Sequence, residues 1–457
     1  MQFALDRCSN RLAVATSVFW KLLVLTLVAV AVVALPAGLQ ADEEYDKFLQ
    51  KLKDLGNEKR DPAYYEIAFD YLTFLDSTDL VSGEVKQSLG YEKGTLLIGS
   101  AKFIKSKVQR DKVLVTGKSL LEKFIEANEF HPYAPAAKNE LANLLIITAR
   151  QKVLEDAGKG SDLIKSAQKD LVAAGNIVVE TKEALKGQLE KIPANPTDPR
   201  LRKRRRDLEN EYLRARLMLP SMQEELSETY AEGSDFRKKS LEVAAEEFED
   251  VSSDYRTRMQ GHMAWVFRGR VLGKLGKPKE ALAVFRETFE QPDSSGFREL
   301  KRMSLELAFP IWLADENTEN GFIEAVKVTE PIIALLTPQE ERSAGWLAVR
   351  LDLARAYRQL YEYLVSKPEK SQEEKIQQTK ALQKSTALAR MVASSNREVK
   401  REAQQLLVDW GARTKVDPVT EAAPTNFVEA RERAGQVLAE LEIIKKQVNT
   451  LQAQLAG

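Results

Sequence analysis

The stretch that most constrains this chain is residues 262–292, HMAWVFRGRVLGKLGKPKEALAVFRETFEQP. Trp265, Gly269 and Leu272 recur at spacings of four and three, which places them on one helical face. Gly276 and Pro278 then interrupt the helix with a short turn. A second helix carries Ala281, Leu282, Phe285 and Phe289 on one face. The small residues Gly269 and Ala281 let two antiparallel backbones approach, while Trp265 and Phe285 fill the space around them. A chain built from such pairs is helical and stacks its pairs side by side.

On Trp265, Gly269, Gly276, Ala281 and Phe285, at these spacings, the stretch resembles a tetratricopeptide repeat. Three positions depart from the family pattern. Arg268 stands where a leucine is usual, Thr288 where a small alanine is usual, and Pro292 comes one residue early. Residues 120–132, LLEKFIEANEFHP, resemble a repeat's second helix and closing proline through Leu120, Phe124, Ala127 and Pro132. Leu141, Ala142 and Leu145 then stand as a following first helix would, over 135–153. Weaker echoes are Ala244 and Phe248 in 240–251, Phe322 and Ala325 in 321–336, and Leu353, Ala354 and Tyr357 in 346–365. The resemblance implies that Met263, Val266, Arg270 and Lys274 line a concave groove. There Arg270 and Lys274, four residues apart, would grip a carboxylate-bearing peptide or stand as solvated charges.

At 457 residues the chain is too long for one compact core, so several domains or an extended repeat array are expected. Hydrophobic residues at 44% suffice for burial. Further helices are expected at 45–55, 62–75, 84–106, 161–192, 200–232, 299–315, 373–394 and 396–411. The turn PANPTDP at 193–199 makes a long antiparallel hairpin of 161–232, inserted between repeat-like regions at 42–160 and 233–415. The expected class is all-α: an α-α superhelix with this hairpin and a C-terminal coiled-coil helix.

The two ends differ from the middle. Arg7, Arg11 and Lys21 precede an apolar run over 22–35, and Ala41 precedes Asp42, Glu43 and Glu44. Residues 1–41 read as a secretory signal peptide, or as an uncleaved anchor through 22–40; either places the bulk of the chain outside the cytoplasm, in the periplasm or cell envelope. Cys8, the single cysteine, lies in this segment, so no disulfide or cysteine-ligated metal is expected beyond it. With Arg7, Arg11, Lys21 and Asp6 set aside, 65 basic and 67 acidic residues remain. That balance offers no global steering toward nucleic acid. After a linker at 416–425, the period becomes seven over 426–457. Phe427, Ala434, Leu441, Val448 and Leu455 alternate with Ala430, Val437, Ile444 and Leu451. This seam predicts self-association, with a helix folded back as a cap the other reading. Phe427, Val437, Leu441, Ile444, Val448 and Leu451 are its candidate contacts.

Chemistry-bearing motifs are sparse. His131 and His262 are the only histidines, and no HExxH spacing is present, so both are expected to be structural. Thr116-Gly117-Lys118-Ser119 looks like the end of a phosphate-binding loop, but Lys112 occupies the position of the required glycine. No GxSxG elbow occurs. Arg202, Lys203, Arg204, Arg205 and Arg206 form the sharpest charge cluster, either a docking patch for an anionic surface or a solvated helix start. Together these features predict a non-enzymatic exported scaffold that binds protein partners in the bacterial envelope, with no cofactor. The alternatives are a carboxylate-dependent enzyme acting on envelope polysaccharide and a structural protein that contacts the membrane or cell-wall surface.

Overall fold

The computed structural model describes residues 62–101, 103–104, 106–155, 161–314, 320–395 and 399–412, together with Tyr45, Lys47 and Phe48. Among them are fifteen α-helices and no strand, so the class is all-α as expected. In chain order they are α1 (Pro62–Ser77), α2 (Gly83–Ala101), α3 (Lys107–Ala127), α4 (Ala134–Glu155) and α5 (Asp162–Glu190). Then come α6 (Pro199–Glu228), α7 (Asp235–Asp254), α8 (Met259–Lys274), α9 (Pro278–Phe289), α10 (Ser295–Leu313) and α11 (Gly321–Ile333). The last four are α12 (Pro338–Glu341), α13 (Ala344–Ser366), α14 (Gln372–Ala393) and α15 (Lys400–Asp409). The signal or anchor segment, most of the expected 45–55 helix, the linker and the heptad seam lie outside the described residues.

Helix starts follow local chemistry. Ser161, Ser234 and Ser294 each accept a hydrogen bond from a backbone amide of the first turn, which satisfies a donor that has no intrahelical partner. Asp198 does the same before Pro199, whose missing N–H costs nothing at that position. Thr337 with Glu340, and Ser371 with Glu374, complete reciprocal capping boxes.

Packing divides the chain once, between Leu335 and Leu336. In the first unit every helix from α1 to α11 packs on the next. The even-numbered helices α2, α4, α6, α8 and α10 also touch one another in turn, whereas the odd-numbered ones make no comparable contact. Closer spacing on one side makes a stack of hairpins curve, with the even-numbered helices inside. This is the expected α-α superhelix. The long hairpin is part of the stack: α5 packs on α4, and α6 packs on α7 as well as on α4 and α8. Ala142, Leu145 and Ala149 of α4, Leu171 and Val178 of α5, and Met218 and Met222 of α6 share one core cluster.

The α8–α9 pair is built as its sequence suggests. A Cβ on Gly269 would stand 2.5 Å from Phe285 Cε1, so only glycine lets α8 and α9 sit this close. Ala281 and Phe285 are fully buried. Gly276 has φ 71°, its N–H donates to Gly273 O at 3.1 Å, and Lys277 N–H donates to Leu272 O at 3.0 Å. That pair of bonds closes the helix in a Schellman motif, which glycine reaches without strain. Arg268, the departure from leucine, lays its guanidinium 4.8 Å from the Trp265 ring centroid and pairs with Glu249 at 3.0 Å.

A second close approach joins α2 and α3. A Cβ on Gly94 would meet Leu121 Cδ2 at 2.8 Å, and one on Gly117 would meet Gly94 O at 3.2 Å. Residues 116–119 are therefore interior to a continuous helix, and Gly117 serves packing there. Tyr45 is buried among Leu72, Leu75 and Leu89 at the start of this unit.

In the second unit α13 packs on α14, and α14 on α15. Leu347, Leu351, Val392 and Ala403 form one cluster, and Ala354, Ala389 and Leu407 another. Buried Arg350 donates to Glu341 O at 3.1 Å and to its carboxylate at 2.8 Å.

Candidate functional site

The inner layer of the first unit is laced by polar struts that run from one even-numbered helix to the next. Between α4 and α6, Asn139 donates to the Glu211 carboxylate at 2.9 Å, Arg214 pairs with Glu140 at 2.7 Å, and Arg150 pairs with Glu225. Between α6 and α8, Arg270 Nε donates to Glu224 Oε1 at 2.8 Å, and Lys274 reaches Glu224 at 2.8 Å and Glu228 at 2.9 Å. Arg237 of α7 holds the other oxygen of Glu228 at 3.0 Å. The Glu224 side chain is only 3% exposed, while Arg270 and Lys274 are about one-third exposed. Burial opposes the charge on Lys274, but Glu224 and Glu228 outweigh it and raise its pKa.

This placement refines the expected groove. Val266 is fully buried, so it lines no surface; its position on α8 faces the neighbouring helices. Met263 is half-buried. Arg270 and Lys274 do sit together and do grip a carboxylate, but it is the chain's own Glu224. Sequence spacing could not show that partner, which lies 46 residues away on α6.

The arginine cluster separates into two kinds of residue. Arg205 donates to Ile192 O at 2.6 Å and Leu189 O at 3.2 Å, capping the end of α5, and pairs with Glu209 at 3.0 Å. Arg202 donates to Thr197 O at 3.2 Å and to Pro196 O at 3.4 Å. Lys203, Arg204 and Arg206 are exposed, and none has an ion-pair partner among the described residues. The Arg205–Glu209 pair expected at a spacing of four is present, and the matching Lys203–Asp207 pair is not.

Arg202, Arg205 and Arg206 meet Arg258, just before α8, around a cleft of about 870 Å³. Glu209 is its one acidic lining residue, and Asn195, Asn210 and Gln260 add neutral polar groups. Glu209 bridges two of the arginines, since its second oxygen accepts from Arg258 at 2.8 Å. No feature of the linear sequence marks Arg258 as a member of this group, because the fold alone carries it to the hairpin tip.

Both histidines pack against aromatic rings. His131 stands edge-on to Phe124 at 5.3 Å and accepts a hydrogen bond from Tyr133 N at 3.1 Å; His262 stands edge-on to Phe297 at 4.9 Å. Burial lowers the pKa of both, with Glu84 partly offsetting it at His131. On α7, Glu247 has a buried Oε2 without a hydrogen-bond partner, and burial raises its pKa against the pull of Lys182. Among the described residues no group of three His, Cys, Asp or Glu could hold a metal ion, and no helix is long and apolar enough to cross a membrane. No protein-family model matches the chain, and no curated protein matches it significantly.

Proposed function

We propose that the chain is a non-enzymatic, exported scaffold of tetratricopeptide-like hairpins that binds protein partners along the inner helix layer of its first unit. The observation that carries this reading is the continuous inner layer from α2 to α10. Helix α8, which bears Trp265 and Gly269, lies in that layer, where a tetratricopeptide's first helix is expected. Export to the cell envelope is supported by the basic and apolar pattern of residues 1–41. Self-association is supported by the heptad seam over 427–455.

Site-specific photocrosslinking in native cells tests the reading. A benzophenone side chain at Ile147 of α4 or Met263 of α8 is expected to trap the same discrete adducts. The same probe at Val172 of α5 or Phe236 of α7 should trap none. All four positions are at least partly accessible. Adducts confined to Val172 and Phe236, or none at any position, would reject binding along the inner layer. Mass measurement with and without residues 426–457 tests self-association; an unchanged monomer mass rejects it.

A further inference from the structure

The scaffold reading makes no use of the arginine-lined cleft at the tip of the α5–α6 hairpin. Four guanidinium groups, from Arg202, Arg205, Arg206 and Arg258, line it against the single carboxylate of Glu209, so the lining carries a net charge of +3. Like charges held this close repel one another unless an anion joins them. Their placement is not a loose spray of side chains into water. Arg205 is fixed by Leu189 O, Ile192 O and Glu209, Arg202 by Pro196 O and Thr197 O, and Arg258 by Glu209. Arg206 has no ion pair and is exposed at the same cleft. The cleft is open to solvent, and its volume of about 870 Å³ leaves room for a small polar ligand.

The excess charge decides the ligand class. One peptide carboxylate would neutralise a third of it. A phosphoryl group carries about 1.5 to 2 negative charges at neutral pH, and its oxygens match the planar fork of a guanidinium. Asn195, Asn210 and Gln260 can hydrogen-bond whatever bears that group. We infer that this cleft binds a phosphoryl-bearing ligand with two or more negative charges, as a free phosphorylated solute or as a phosphorylated headgroup. Arg206 and Arg258 supply new bonds to it, while Arg202 and Arg205 are held in place by backbone carbonyls of the hairpin turn.

Calorimetric titration of the full chain with inorganic pyrophosphate tests this. Wild type is expected to bind, Arg206→Gln to bind at least tenfold more weakly, and Lys203→Gln, which is exposed outside the cleft, to stay within twofold. Neither side chain has an ion pair to lose, so thermal melts of both variants should overlay wild type. Sedimentation with vesicles containing phosphatidic acid, whose headgroup is a phosphomonoester, separates the sources. Co-sedimentation displaced by pyrophosphate assigns a headgroup, and pyrophosphate binding without co-sedimentation assigns a free solute; both uphold the cleft. No pyrophosphate binding by wild type up to millimolar concentration overturns the inference. So does an equal loss from Arg206→Gln and Lys203→Gln, which would mark diffuse surface charge. The inference stands apart from the scaffold reading, because the crosslinking outcome at Ile147 and Met263 does not depend on it.

Discussion

Arg270 of α8 closes a two-point contact on Glu224 of α6, Nε to Oε1 at 2.8 Å and the terminal nitrogen to Oε2 at 2.5 Å, across two helices of the inner layer. Lys274 joins the same carboxylate one turn later, at 2.8 Å. A carboxylate that is 3% exposed is tolerable only because both cations accompany it.

Glu224→Gln removes the negative charge and leaves Arg270 and Lys274 facing each other. Loss of one partner of a fully buried pair costs about 3–5 kcal/mol. Both cations here keep about a third of their exposure, so a smaller loss of about 2 kcal/mol is expected. Calorimetry should show the melting of the first unit lowered by about 3–4 °C. The double variant Glu224→Gln with Arg270→Gln should recover part of that loss.

Gly269→Ala places a methyl 2.5 Å from Phe285 Cε1 and 2.9 Å from Val284 Cγ1. Overpacking of this kind costs about 1–3 kcal/mol. Phe285→Leu in the same chain should relieve much of it, which thermal denaturation of the single and double variants would read out.

Arg268 poses the opposite case. Its Nε is buried without a hydrogen-bond partner, and its Glu249 partner is half exposed. Arg268→Leu removes that unmet donor. It should lie within about 1 kcal/mol of wild type, whereas Arg268→Ala, which uncovers Trp265, should cost more. Denaturant midpoints of the two variants decide the order.

Acid response should divide between Glu228 and Glu247. Burial pushes the Glu228 carboxyl up, but Lys274 and Arg237 overcome it and hold its pKa below the ordinary 4.5. A depressed carboxylate contributes stability above the unfolded pKa and loses it as pH falls through the folded value. Glu247 is shifted the other way by burial, so its ionisation opposes folding as pH rises above 4.5. At pH 7 Glu228→Gln should therefore lower the melting temperature and Glu247→Gln should raise it. Both differences should shrink as the pH falls toward 3. A Glu247→Gln variant that melts below wild type at pH 7 would contradict this.

Much of the candidate chemistry was hidden in the linear chain. The basic run at 202–206 announces itself, yet which of its members are struts and which face a cleft depends on Leu189, Ile192 and Thr197 across the hairpin turn. Arg258 arrives from a segment with no such signal. Likewise Arg270 and Lys274 were legible as a pair, whereas Glu224, hidden in a long charged helix, was not.

What the sequence determined by itself was the class and the local grammar. Apolar residues at spacings of three and four, serine and aspartate caps, and Gly276 with Pro278 at the turn act over a few residues, so they can be read without a neighbour. The tertiary structure alone decided which helices form the inner layer, where the chain divides at Leu335, and which charges meet. Those outcomes depend on groups dozens of residues apart being brought within hydrogen-bonding distance, and local periodicity carries no record of that distance.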